Sequence, residues 1–274
     1  MLTGKELLAQ IDLTQLPPGQ VALWWAGQQG YIIKTAQTVI YLDVFFSPHP
    51  RRQIPLLIPP EFANNADIVF GTHDHKDHID RQSWPALAKA SPQATFVVPE
   101  LLRTDLAEDL NIPAERFIGI NDCQTTQLKG LKITGIASAH ELLERDENTG
   151  LYPYMGYVIE ADGFYLYHCG DCCIYEGLQT KLKQFSIDLS MLPINGRDAV
   201  RLARGCIGCM TYQEAADLAG AIESKLTLPG HYDMFADNSE DPKLFTEYMK
   251  VKYPHLQTKI CQHAQRLILN RNDL

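Results

Sequence analysis

No stretch of this chain is apolar for long enough to cross a membrane; nothing in it approaches the roughly 20 residues that a spanning helix needs. Its N-terminus, Met1-Leu2-Thr3-Gly4-Lys5-Glu6, has no basic region followed by an apolar one, so a secretory signal is not expected. Basic residues are in deficit. With 24 Lys and Arg against 33 Asp and Glu, the formal net charge is −9, which repels a phosphate backbone and disfavours nucleic acid as a partner without a local basic patch. Seven cysteines, an odd number without an export signal, argue against a disulfide framework and read as reduced thiols in the cytoplasm. Fixed-period repeats, low-complexity tracts and linkers are also missing, so residues 1–274 are expected to form one domain.

What is present is a succession of short β-rich runs separated by Gly or polar turns. Val21–Trp25, Tyr31–Lys34 and Thr38–Leu42 read as a meander, and Ala66–Phe70 as a buried strand beyond a proline-rich segment, 45–60. Helical spacing covers 83–90 and 101–110, with a strand over 95–98 between them. A strand over 131–136 is followed by an acidic loop, 141–150, and by a hairpin of 157–160 and 164–167 about Asp162-Gly163. The remaining expectations are helices over 178–185, 212–222 and 242–252, and strands over 189–193, 226–228, 259–262 and 266–269. Strands with helices after them in each half predict a mixed α/β fold in which two sheets pack face to face with helices outside, a four-layer αββα sandwich.

The densest chemistry lies in Gly71-Thr72-His73-Asp74-His75-Lys76-Asp77-His78, which carries the pattern His-x-His-x-Asp-His directly after a predicted strand. Three imidazoles and a carboxylate in one turn are poor core filler, and they are ligands that Zn²⁺, Mn²⁺ or Fe ions prefer. Further ligand-type residues recur where other predicted strands end: Asp43, His140, Asp171 and His231. Loops at one edge of a sandwich lie close together, so these residues can converge.

In this series the chain resembles the metallo-β-lactamase superfamily of hydrolases along essentially its whole length. Leu23-Trp24-Trp25-Ala26-Gly27, Gly71 to Asp80, Leu166-Tyr167-His168-Cys169-Gly170-Asp171 and Pro229-Gly230-His231-Tyr232-Asp233 are similar to the L-ascorbate 6-phosphate lactonase branch. The resemblance implies that His73, His75 and His140 hold one divalent ion, that Asp77, His78 and His231 hold a second, and that Asp171 bridges them. Asp43 would then orient a ligand from behind. It further implies two divalent ions, Mn²⁺ or Zn²⁺, with Asp77, His78 and Asp171 acting in catalysis. The expected activity is opening of a sugar or sugar-phosphate lactone by attack of a metal-bridging hydroxide, with phosphodiesterase or ribonuclease chemistry as the alternative. Two departures concern the substrate: the 45–65 segment is shorter than in that branch, and His140 stands where the branch tends to a carboxylate.

Three arginines cluster in an otherwise acidic chain, in the stretch from Ile194 to Gly205. Asn195, Arg197, Arg201 and Arg204 are therefore the candidate substrate-binding residues, because guanidinium forks suit phosphate. The expected partner is a small molecule, phosphorylated or not, with no membrane partner; the lactonase branch also implies a homo-oligomer. Cys206-Ile207-Gly208-Cys209 and Cys172-Cys173 invite a thiolate-zinc or redox reading, but that spacing is common by chance and buried thiols are the expectation. His168 is expected to be structural.

Overall fold

Strand β1 (Gln20–Gly27) shows how the layers arise. Val21, Leu23 and Trp25 enter one apolar core, whereas Ala22, Trp24 and Ala26 enter another. Alternate side chains of a strand face opposite sides, and a strand apolar on both faces must be covered on both. The same division holds in β2 (Gly30–Lys34), with Tyr31 and Ile33 against Ile32, and in β3 (Val39–Leu42), with Ile40 and Leu42 against Val39 and Tyr41.

The computed structural model describes residues 1–274. The chain continues through β4 (Ile68–Phe70), β5 (Thr95–Pro99), β6 (Phe117–Ile120), β7 (Thr125–Leu128), β8 (Leu131–Ala137), β9 (Met155–Ala161) and β10 (Phe164–His168). It closes with β11 (Leu189–Pro193), β12 (Leu226–Gly230), β13 (Gln257–Thr258) and β14 (Arg266–Asn270). Two seven-stranded sheets result, in the orders β14-β1-β2-β3-β4-β5-β6 and β13-β12-β11-β10-β9-β8-β7. Each has antiparallel strands (β14 to β3, β7 to β10) that pass into parallel ones (β3 to β6, β10 to β13).

The inner faces meet in one large core. Outside the first sheet lie α1 (Gly4–Leu13), α2 (Trp84–Ala90) and α3 (Arg103–Asp109), which supply Leu7, Leu8, Ile11, Trp84, Leu87 and Leu106 to the second core. The other helices are α4 (Leu178–Leu182), α5 (Ala199–Leu202), α6 (Tyr212–Ala221) and α7 (Pro242–Lys252); α6 packs on β11 and β12, and α7 on β12. A capping box between Thr211 and Glu214 starts α6, satisfying backbone N–H groups that the first turn would otherwise leave open. The four-layer expectation is met. No helix is long and apolar enough to cross a membrane.

Local readings needed correction where side-chain alternation is weak. The predicted strand at 259–262 is absent: pairing with β12 ends at Thr258, apart from Lys259 N donating to Thr227 O, and the chain then crosses to β1, where Ala264 N donates to Trp25 O. β6 and β7 were not read in the sequence; β7 is a half-exposed edge strand with no apolar stripe. The helix expected over 101–110 begins as a 3₁₀ turn, Glu100–Leu102, and that over 178–185 stops at Leu182.

Candidate metal centre

Parallel alignment of β3 with β4, and of β10 with β11 and β12, brings their carboxyl ends to one rim of the sandwich. Asp43 follows β3, the His-rich turn follows β4, Asp171 follows β10 and His231 follows β12, while Ser138-Ala139-His140 leaves β8 at the same rim. Ligands collect at carboxyl ends of strands because the loops there diverge and leave a crevice. Ile79 N closes a local turn on His75 O (2.8 Å), and His231 N donates across the sandwich to Gln28 O in the β1–β2 turn (2.9 Å). Asp80 fastens the His-rich turn to the chain after β3 by accepting from Phe46 N and Ser47 N at 2.9 and 2.8 Å. Close packing decides the residue before Asp171: Gly170 has φ +61°, and a Cβ there would lie 2.7 Å from Thr72, so both the left-handed backbone and the space require glycine.

On one side of Asp171, three imidazoles turn nitrogens toward a common point. His73 Nε2 is 2.9 Å from His75 Nδ1, and His140 Nε2 is 3.2 Å from the same atom. Burial pushes His73 well below the usual histidine range and lowers His75; it also pushes His140 down to about 4. These rings are therefore neutral, with lone pairs available. Tyr154 packs its ring 5.5 and 5.3 Å from those of His73 and His140.

The other side is rich in carboxylate. His78 Nε2 lies 3.2 Å from Asp171 Oδ1 and 3.8 Å from Asp77 Oδ2; His231 Nε2 lies 3.3 Å from Asp171 Oδ2 and 3.8 Å from Asp77 Oδ2. Asp171 Oδ2 is also 3.6 Å from His140 Nε2, so this one carboxylate faces both sides. Burial opposes the charged imidazolium of His78 and His231, but Asp171 and neighbouring carboxylates outweigh it and raise both. Burial likewise opposes ionisation of Asp171 and Asp77, and the facing His231 and His78 outweigh it, holding Asp171 well below the carboxylate range and lowering Asp77.

Asp43 stands behind this group, wholly buried with φ +48°. It accepts from Thr72 N (2.9 Å) and Thr72 Oγ1 (2.7 Å), and it pairs with His78 Nδ1 (2.7 Å) and His168 Nε2 (3.0 Å). Occupying Nδ1 of His78 leaves its Nε2 to face inward, as expected of a carboxylate behind a metal-binding imidazole. His168 is a structural partner of Asp43.

These residues fit divalent ions. The ligand atoms of His73, His75, His140 and Asp171 lie within 4.8 Å of one another, as do those of Asp77, His78 and His231. Tetrahedral zinc with about 2.0–2.1 Å bonds to nitrogen would space its ligand atoms by about 3.4 Å, close to the 2.9 and 3.2 Å contacts of the imidazole side. Buried His78 Nε2 and Asp171 Oδ1 face each other at 3.2 Å without the geometry of a hydrogen bond, an arrangement that a protein tolerates where a cation supplies the missing interaction.

A cavity of about 460 Å³ opens above Asp77, Asp171, His75 and His231. A hollow of about 530 Å³ around Lys183, Phe185 and Lys225 is larger, but it contains no ligand cluster. The arginine loop divides at this cavity. Arg201 and Arg204 line it, with Lys76, His49 and Arg51 also on its wall. Arg201 is tied down by Asp198 and donates to Asn195 O at 2.7 Å; Arg51 is paired with Asp237. Side chains of Arg204 and Lys76 have neither a carboxylate nor a hydrogen-bond partner. Arg197 lies outside the cavity wall. Its fork is taken by Glu214 at 2.6 and 2.8 Å and by Cys209 O at 3.1 Å, so it pins the loop to α6. Asn195 is buried and donates to Asn238 Oδ1 at 2.8 Å.

Two residues escaped the sequence reading. Gln28, fully buried, donates from Nε2 to Asp77 Oδ2 at 3.0 Å, and Gln29 donates to Gly170 O at 3.2 Å. Their one signal was a pair of amides inside a tight turn between apolar strands. The aromatic run after His231 divides: Phe235 lines the cavity, while Tyr232 stacks on Trp25 with centroids 4.5 Å apart.

Residues 38–232 match the family described as the beta-lactamase superfamily domain. A UPF0173 metal-dependent hydrolase of Saccharolobus solfataricus is 25% identical over 230 residues, covering 84% of this chain and 92% of the relative. A probable L-ascorbate-6-phosphate lactonase of Salmonella paratyphi B is 23% identical over 293 residues, covering 93% and 81%. Among solved structures, Igni18, a metallo hydrolase from the archaeon Ignicoccus hospitalis, superposes with a TM-score of 0.72 at 20% identity, covering 92% of this chain and 99% of that one.

Proposed function

The chain belongs to the beta-lactamase superfamily, and from that membership we propose a metal-dependent hydrolase that opens a small anionic carboxylic ester, a sugar or sugar-phosphate lactone being the favoured substrate. The observation that carries the reading is Asp171, one carboxylate facing both a three-imidazole group and an Asp77-His78-His231 group at the floor of an open cavity. Divalent ions bound there would activate water and polarise a carbonyl or phosphoryl oxygen. The chain's own residues would hold those ions and place the substrate between them and the rim. Of the two cluster carboxylates on the cavity wall Asp77 is the more exposed, its side chain 21% against 5% for Asp171. With Oδ2 steadied by Gln28, it is positioned to hold the proton destined for a leaving alkoxide.

Support for an anionic substrate comes from the rim. In a chain of net charge −9, two cations without carboxylate partners, Lys76 and Arg204, stand at the cavity beside the ligand cluster. Uncompensated cations over a cleft attract and orient anions. The substrate contact expected of the arginine loop thus falls to Arg204, with Arg201 held beside it.

The test is to purify the protein with its native metal, count ions per chain, and compare turnover of lactones, with and without a phosphate, against bis(p-nitrophenyl) phosphate. Lactone opening that disappears in His73→Ala is expected. Phosphodiester turnover without lactone opening would replace this substrate class with phosphoric ester hydrolysis.

A further inference from the structure

The Cys-x-x-Cys of the sequence does not behave as a unit. Cys206 is partly exposed on the cavity wall, whereas Cys209 is wholly buried, and all seven cysteines are unpaired. Cys209 is fixed from both sides: its N–H donates to Gly196 O at 3.1 Å, and the next residue, Met210, donates to Cys172 O at 2.9 Å. That placement brings Cys209 Sγ within 4.8 Å of ligand atoms of both Asp171 and His231, making a third compact set that shares two members with the metal centre. Asp171 Oδ1, which faces His78 Nε2 at 3.2 Å, and Asn195 Oδ1 are both buried without a hydrogen bond.

We infer that Cys209 is a sulfur ligand for the ion on the carboxylate side, held with Asp171 and His231, so that this side selects a thiophilic ion such as Zn²⁺ over Mn²⁺. Thiolate sulfur favours zinc-like ions, while an all-carboxylate and imidazole set accepts manganese readily. Ligation replaces the S–H bond by a metal–sulfur bond and releases one proton to solvent; no electron is transferred. The thiol is buried against Asp171, where an unpaired thiolate would be costly and only a cation makes the charge tolerable. This inference rests on the reading of the cluster as a metal centre.

The experiment uses the full-length, metal-stripped protein titrated with Co²⁺, following the near-ultraviolet sulfur-to-cobalt charge-transfer band and the ions bound per chain. The band is expected in wild type and in C206S, and is expected to vanish in C209S and C209A. Competition between Zn²⁺ and Mn²⁺ should shift toward Mn²⁺ by about tenfold or more in C209S, since losing even a partner that only orients a ligand alters affinity on that scale. X-ray absorption of the wild-type zinc protein gives a readout that needs no variant: one sulfur neighbour is expected. Cobalt binding without a charge-transfer band, a band that survives in C209S, or zinc without a sulfur neighbour overturns the inference and leaves the metal centre standing. A protein that binds no cobalt at all removes the metal-centre reading, and this inference with it.

Discussion

On one side of Asp171 stand three imidazoles, two of them from a single turn; on the other stand Asp77, His78 and His231, drawn from two loops and backed by Asp43, Gln28 and Cys209. The first group is neutral because burial disfavours charge on rings that have little carboxylate beside them, and His140 is pushed down to about 4. In the second, carboxylates outweigh the same burial and raise both imidazoles, three of them beside His78 (Asp171, Asp43 and Asp77) and two beside His231 (Asp171 and Asp77). One side therefore offers lone pairs ready for a cation. The other must exchange protons for one, and depends on neighbours that aim its ligands. Asp171 belongs to both.

The largest effect should come from that shared residue. Asp171→Ala removes the acceptor facing His78, His140 and His231 together, so both ions should be lost and activity should fall to background. His73→Ala should cost chiefly the ion on its own side. Metal content per chain measured on the two purified variants decides this: equal losses would mean that the two sides are not separate, and an Asp171→Ala protein keeping one ion would deny its bridging position.

Acidification should separate the sides next. A histidine must shed its proton before it can bind a cation. His78 and His231 hold protons more tightly than an ordinary histidine, so protons displace their ion already as pH falls toward the ordinary histidine range, and the carboxylate side should empty first. His73, His75 and His140 are lowered, so their ion should persist to more acidic solution. The same signs apply to stability without metal. The raised pair contributes stability at low pH that is lost as pH rises through their folded values; the lowered trio costs stability as pH falls below the unfolded histidine value, with His140 continuing to do so toward about 4. Bound metal after dialysis at descending pH should show two steps, and His73→Ala should lack the acid-resistant one.

The two sides also differed in how far they could be read in advance. His73 and His75 carry their own signal, since they share one turn with Asp77 and His78 after an evident strand, whereas His140 was suggested only by its strand-end position. Asp171 and His231 mean little as isolated residues; strand-end positions suggested them and the family resemblance assigned them. Apolar residues on both faces of β1 to β5 made the layered fold legible, while β6 is a run of only four residues broken by Gly119 and β7 lacks an apolar stripe. The carboxylate side's supports were hidden for a physical reason: Gln28, His168 and Cys209 act through distant partners, 49 residues away for Gln28 and Asp77 and 125 for His168 and Asp43. A cluster of arginines reveals charge, not which of them a carboxylate has already engaged, as Glu214 engages Arg197.

Asp43→Asn tests how far the carboxylate side leans on its backing. The substitution keeps the shape but weakens acceptance from four donors, among them His78 Nδ1 at 2.7 Å. Loss of such a partner typically lowers metal affinity or activity by about 10–100-fold. The loss should appear in the acid-labile ion, with the acid-resistant ion nearly unchanged. Equal weakening of both would mean that Asp43 supports the rim as a whole through Thr72 and His168, and the contrast would narrow.

Gln28→Leu should have the smallest effect and probes the contrast most finely. The backbone of Gln28 carries the structural role, its carbonyl accepting from His231 N at 2.9 Å and from Trp25 Nε1 at 3.0 Å. Those bonds survive the substitution. The side chain alone donates to Asp77 Oδ2, and its loss removes one hydrogen bond to a charged acceptor, worth about 1.5–3 kcal/mol at most and less where the acceptor finds water. Asp77 has that recourse through its exposed edge. Turnover should therefore fall by roughly tenfold or less, with affinity for the imidazole-side ion unchanged and affinity for the other slightly reduced. Isothermal titration with Zn²⁺ at fixed pH separates the two events. A weakened imidazole-side ion in Gln28→Leu would show that the β1–β2 turn supports both sides through Gln29 and Gly170, and the division drawn at Asp171 would have to move.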